Sequence, residues 1–170
     1  ARDLGITTPL QPIAGLALGQ SEVTLLELTS AYAAIVNDGQ WHTPRTIRRI
    51  TDAESCQGLA DRRCRKSADQ TPLLSNPPRR ATSPAVSEAM RSLLQTVVRE
   101  GTGRAAYRGG GEGGKTGTTN DYRDLLFIGF EPKRHWVMGI WLGNDDNRST
   151  HASSALAAAL WGEIIAATGD

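Results

Sequence analysis

The chain has 170 residues, of which 39% are hydrophobic, 5% aromatic and 22% charged. That composition suits one globular domain with a modest core and excludes a fully disordered chain. Nineteen Lys and Arg against 18 Asp and Glu leave a formal charge of +1, which offers no electrostatic ground for a nucleic-acid partner. The chain begins at Ala1 rather than Met, and Arg2-Asp-Leu-Gly5 form no signal peptide, so a piece of a longer protein is expected. No apolar run reaches the ~18 residues that a membrane-spanning helix needs.

The opening segment to Gly19 is rich in Gly and Pro and reads as a loop. Ser21 as N-cap and Glu22 in the first turn predict a helix over 22–37, ended by Gly39. A short β-like run is expected over 46–51. Residues 53–82 are polar and basic and read as an exposed insertion, with Arg62-Arg63 and Arg79-Arg80 as solvated loop charges. Cys56 and Cys64 lie within it; they either close a small loop or are unrelated thiols. A zinc site is not expected, since His42, His135 and His151 are scattered and no second Cys pair is present.

Ser83-Pro84 predicts a helix start, and Val86, Met90, Leu93, Leu94 and Val97 form one apolar stripe over 84–99. Strands are expected over 113–118, 125–130 and 136–142, the last two joined as a hairpin. A final amphipathic helix over 154–167 carries Leu156, Leu160 and Ile164 on one face. Trp136, Trp141 and Trp161 read as packing residues, and Asn144–Asn147 as a polar turn after a strand. Helix, short strands, helix, antiparallel meander and helix together give an α+β fold.

Lys115-Thr-Gly-Thr118 is the most informative tetrapeptide. Residues 109–116 match G-x-x-x-x-G-K-[ST], the pattern of a phosphate-binding loop. Such a loop needs an apolar strand before it and a helix after it, and neither flank reads that way. The other reading is acyl transfer at a strand edge. Lys115 supplies a cation for an anionic substrate tail, and Thr116 and Thr118 share a face because side chains alternate along a strand. Gly117 keeps the strand slim, and the Thr118 N–H suits an oxyanion donor. A Gly-rich turn with a solvated lysine remains the plain alternative at this point.

Residues 114–124 with Phe127-Ile-Gly-Phe130 closely resemble the transpeptidase domain of bifunctional (class A) penicillin-binding proteins. The same holds for Ala17–Leu28 with Ala31-Tyr-Ala33, for Val97–Ala105, and for Trp141–Asp146. The resemblance implies a penicillin-recognising fold, with an antiparallel sheet flanked by helices, of which residues 1–170 form the C-terminal half. It implies a serine D,D-transpeptidase of peptidoglycan, acting on stem peptides that end in D-Ala-D-Ala and acylated by β-lactams, with no cofactor, metal or nucleic acid. It places Lys115 and Thr118 in catalysis, and Thr116, Gly117 and Thr118 at the substrate. It further implies a site outside the cytoplasmic membrane, where a Cys56–Cys64 disulfide is expected.

The sequence departs from the family in its Cys-bearing insertion, to which the resemblance assigns no role, and decisively in a second respect. It contains neither S-x-x-K nor S-x-N. The nucleophile and its base are expected on a missing N-terminal part of the domain, so these 170 residues by themselves are expected to be inactive. A non-catalytic scaffold module of the same fold is the competing reading, and a nucleotide-binding loop at 109–116 a remote third.

Overall fold

The computed structural model describes residues 1–47 and 77–168. The chain divides into two units, Ala1–Trp41 with Arg79–Asp170, and His42–Pro78. In the second unit, the described residues contain no strand or helix. The expected Cys56–Cys64 bridge, most of the polar insertion and the 46–51 run beyond Ile47 lie outside the described residues.

The first unit is built on a meander of three antiparallel strands, β3 (Gly113–Thr118), β4 (Asp124–Glu131) and β5 (Trp136–Gly143), in the order β3-β4-β5. Thr118 lies opposite Leu125 and Gly113 opposite Phe130; Glu131 lies opposite Trp136 across the second turn. The central strand is buried on both faces, with Leu125, Phe127, Ile128 and Phe130 no more than 2% exposed. This is why it reads as a continuous apolar run rather than an alternating one.

Among the described residues, three helices cover the sheet: α1 (Leu25–Val36), α2 (Pro84–Glu100) and α3 (Ala155–Ala167). On one sheet face, Phe127 meets Trp161 of α3 edge to face at 5.5 Å, and the Trp161 indole N–H donates to Met138 O at 3.1 Å. Val98, Ala106, Ile140, Ala157, Ala158 and Ile165 complete that core. On the other face α1 lies so close that a Cβ at Gly139 would run into Thr29 and Leu25. Alternation along β4 sends Phe127 to the first face and Ile128, opposite Gly139, to the second.

Several boundaries and faces differ from the sequence expectation. Helix α1 starts three residues later than 22: Thr24, not Ser21, is the cap, closing a capping box with Glu27. Of the expected apolar stripe of α2, Leu94 is buried and Val97 half-buried. Val86, Met90 and Leu93 are exposed, while Ser87, Leu94 and Val98 face inward. Arg91 explains the rotation, because it shares the inward side and its guanidinium donates to Ile35 O, Val36 O and Asp38 Oδ1 at the end of α1. In α3, Leu156 and Leu160 are exposed, and the buried positions are Ala157, Ala158, Trp161, Gly162 and Ile165. Small residues let this helix approach the chain closely: Gly162 sits against the Arg108 guanidinium.

The pair Arg79-Arg80 is not simply loop. It forms β2 and pairs antiparallel with β1 (Gln40–Trp41), and the Arg79 guanidinium stacks 4.5 Å from the Trp41 ring centroid. Trp136 and Trp141 remain 44% and 43% exposed, so of the three tryptophans expected to pack only Trp161 is fully buried. The segment Asn144–Asn147 forms the expected turn, with the Asn144 amide donating to Arg148 O and Ser149 O.

Candidate functional site

Residues Lys115–Thr118 lie on β3, at the border of the sheet, and no helix begins at Lys115. The strand-then-helix frame of a phosphate-binding loop is therefore absent at 109–116. Two glycines seat the strand. A Cβ at Gly113 would strike Phe130 and stand 3.0 Å from the Gln95 backbone N of α2, and one at Gly114 would stand 2.6 Å from Phe127 Cζ. Only glycine permits so close an approach at both positions.

The phase of the β3–β4 ladder follows from the turn that joins the two strands. The Thr119 N–H donates to Asp124 O at 3.1 Å. Antiparallel ladders alternate bonded and non-bonded pairs, so Gly117, Lys115 and Gly113 direct their backbone groups to β4. Thr118 and Thr116 direct theirs outward, along the border. The outward Thr118 N–H thus points away from β4, toward the border.

By register, Thr116 and Thr118 share the sheet face of Phe127 and Leu125, whereas Lys115 and Gly117 belong to the opposite face. Lys115 nevertheless folds back over the border. Its Nζ donates to Thr116 O at 2.9 Å and stands 3.4 Å from Thr116 Oγ1. The Thr116 hydroxyl in turn donates to Thr102 Oγ1 at 2.8 Å. Lys115 and Thr118 are exposed; Thr116 and Gly117 are half-buried. The arrangement places one ammonium, one hydroxyl chain and outward backbone N–H groups along one border. It can hold an anionic group and donate hydrogen bonds to a developing negative charge.

A brace stiffens the end of the strand. The Asp124 N–H donates to Thr119 Oγ1 at 2.8 Å, and the Asp124 carboxylate accepts from Thr119 Oγ1 and from the Trp141 indole N–H at 3.0 and 2.8 Å. Sequence reasoning assigned no role to Asp124 or to Thr102. Both lie within the stretches quoted for the resemblance, but no local spacing brings Thr102 to Thr116.

An α+β fold with a Lys-Thr-Gly-Thr border strand defines the class: that of the penicillin-binding transpeptidases. The family described as the penicillin-binding protein transpeptidase domain matches residues 6–166, and the chain belongs to it. The chain is 36% identical over 156 residues to penicillin-binding protein 1A of Aquifex aeolicus, covering 89% of this chain and 19% of that protein. It is 32% identical over 124 residues to penicillin-binding protein 4 of Bacillus subtilis, covering 72% and 18%. Among solved structures, penicillin-binding protein 1A of Haemophilus influenzae aligns with a TM-score of 0.71 at 21% identity, over 99% of this chain and 30% of that one. Penicillin-binding protein A of M. tuberculosis, solved as an imipenem acyl-enzyme complex, gives 0.67 at 21% identity, over 98% and 40%. These two likenesses show the fold. The chain spans about a fifth of the length of the curated relatives it matches.

Proposed function

We propose that the chain supplies the Lys-Thr-Gly wall of a serine D,D-transpeptidase site, and is the C-terminal part of that catalytic domain. The observation that carries the reading is the border strand β3, with the Lys115 ammonium beside Thr116 and the Thr118 N–H turned outward. A serine outside this chain attacks the penultimate D-alanine carbonyl of a stem peptide. D-alanine leaves, an acyl-enzyme remains, and the amine of a neighbouring stem resolves it. Lys115 and the Thr116 and Thr118 hydroxyls receive the terminal carboxylate, Gly117 leaves room for the peptide, and the Thr118 N–H donates to the oxyanion. Stem peptides and β-lactams are then the ligands, and the extracytoplasmic face of the membrane is the place of action. Lys115 also biases proton transfers at the nucleophile, through its charge.

The chain contains no S-x-x-K and no S-x-N. Incubated with a fluorescent penicillin, these 170 residues by themselves should form no covalent adduct. A complete transpeptidase domain carrying them should be labelled, and Lys115→Ala in it should slow labelling by about 100-fold, a typical loss when a preorganised electrostatic partner is removed. Labelling of the 170 residues alone, or a complete domain indifferent to Lys115→Ala, overturns the reading. A complete domain that folds and takes up no label supports the non-catalytic scaffold instead.

A further inference from the structure

Thr116 has one hydroxyl proton, and it is donated to Thr102 Oγ1 at 2.8 Å. The transpeptidase reading needs that same proton for a substrate carboxylate. Two hydroxyls at this separation share a single hydrogen bond that can run in either direction, because each is both donor and acceptor. Reversed, Thr102 donates to Thr116 Oγ1, and the Thr116 proton is released toward the border of the strand.

The backbone around Thr102 is held on both sides. The Gly101 and Gly103 N–H groups both donate to Val97 O, at 3.0 and 3.1 Å. Gly103 is buried, and a Cβ there would stand 3.2 Å from Val98 Cγ2 and 3.3 Å from Phe127 Cε2. Ala106 follows, fully buried in the same core. The Thr102 hydroxyl therefore projects from a fixed origin onto the sheet face that carries Thr116. Lys115 Nζ also stands near Thr116 Oγ1, at 3.4 Å. Between a cation and a reversible hydroxyl, Thr116 can keep its acceptor side occupied while its proton faces a ligand.

We infer that Thr102 is a positioning residue for substrate-carboxylate recognition: by donating to Thr116 Oγ1, it aims the Thr116 proton at the carboxylate. This rests on the transpeptidase reading of Lys115–Thr118. The test uses a complete transpeptidase domain carrying this chain, a fluorescent penicillin, and the methyl ester of that penicillin, in which the carboxylate is blocked. Thr102→Val should raise the half-saturating penicillin concentration about fivefold, the scale of one net hydrogen bond, with limiting rate and melting temperature little changed. Thr102→Ala, which removes the hydroxyl without adding an apolar group, should show the same loss. Thr102→Ser should stay close to wild type, and with the ester the wild type and Thr102→Val should coincide.

Thr102→Val equal to wild type sinks the assignment. So does Thr102→Ser as weak as Thr102→Val, or an equal loss with the ester. Those outcomes leave the transpeptidase reading standing, provided the wild type acylates. A folded wild-type domain that does not acylate removes that reading, and the role of Thr102 with it.

Discussion

Glu27 accepts six hydrogen bonds, from the backbone and hydroxyl groups of Thr7, Thr8 and Thr24, at 2.5 to 3.2 Å. One carboxylate thus ends the N-terminal segment and starts α1. Hydrogen bonds from the Thr7 and Thr8 side chains, then from their backbone N–H groups, hold its carboxyl far below the usual glutamate range. A depressed carboxyl contributes stability that is complete above its unfolded value, about 4.3, and is lost as pH falls below it. Glu27→Gln should therefore lower the melting temperature at pH 7, and the gap from wild type should narrow toward pH 3. Melting curves across that range check it; a gap that stays constant would show that the charge on Glu27 is not what matters.

Among the elements, Arg91 of α2 ties that helix to the end of α1. Arg91 reaches the last carbonyls of α1, at Ile35 and Val36, and pairs with Asp38 at 2.7 Å. A cation at a helix C-terminus is favourable because the carbonyls there lack intrahelical partners. Arg91→Ala should cost about 1–2 kcal/mol in denaturant unfolding, and Asp38→Asn less, because the carbonyl bonds survive it. Packing of α1 on the sheet rests on a different residue. Gly139 admits Thr29 and Leu25 so closely that Gly139→Val should destabilise by roughly 1–3 kcal/mol through overpacking. An unchanged denaturation midpoint for that variant would mean that α1 does not lie where described.

At the scale of the whole first unit, a cluster of buried residues lies on one sheet face. Trp161, Phe127 and Val98 are fully buried together with Ala106, Ala157 and Ala158. Trp161 also satisfies Met138 O through its indole N–H. Trp161→Ala should destabilise by about 3–5 kcal/mol, by loss of buried apolar area and creation of a cavity. Trp161→Phe should cost less, since it keeps the aromatic contact and loses only the second ring and the hydrogen bond; equilibrium unfolding of both variants makes the comparison. The exposed apolar residues of α2, Val86, Met90 and Leu93, contrast with this core. A helix stripe is a statement about one helix, and its burial depends on what lies opposite.

Local signals determined much of the architecture. The apolar runs of β4 and β5 and the Ser83-Pro84 helix start were legible because each depends on neighbours within a few residues, whereas the Gly-rich composition of 113–118 does not by itself mark a strand. The Thr24–Glu27 capping box is equally local, and it prevails over Ser21 because it satisfies two backbone N–H groups at once. Other features depended on residues distant in sequence. Arg91 turns the inward face of α2 because the end of α1 lies beside it, more than fifty positions earlier. Arg79 is anchored because Trp41 is within stacking distance. Thr102 reaches Thr116 because Gly103 is pinned in the core beneath it. Periodicity and capping are short-range properties of the backbone, so the sequence alone determined the helices and the apolar strands, and the Lys-Thr-Gly-Thr motif pointed to the third. Which faces are buried and which hydroxyl meets which depend on packing between distant segments, and only the tertiary structure decided them.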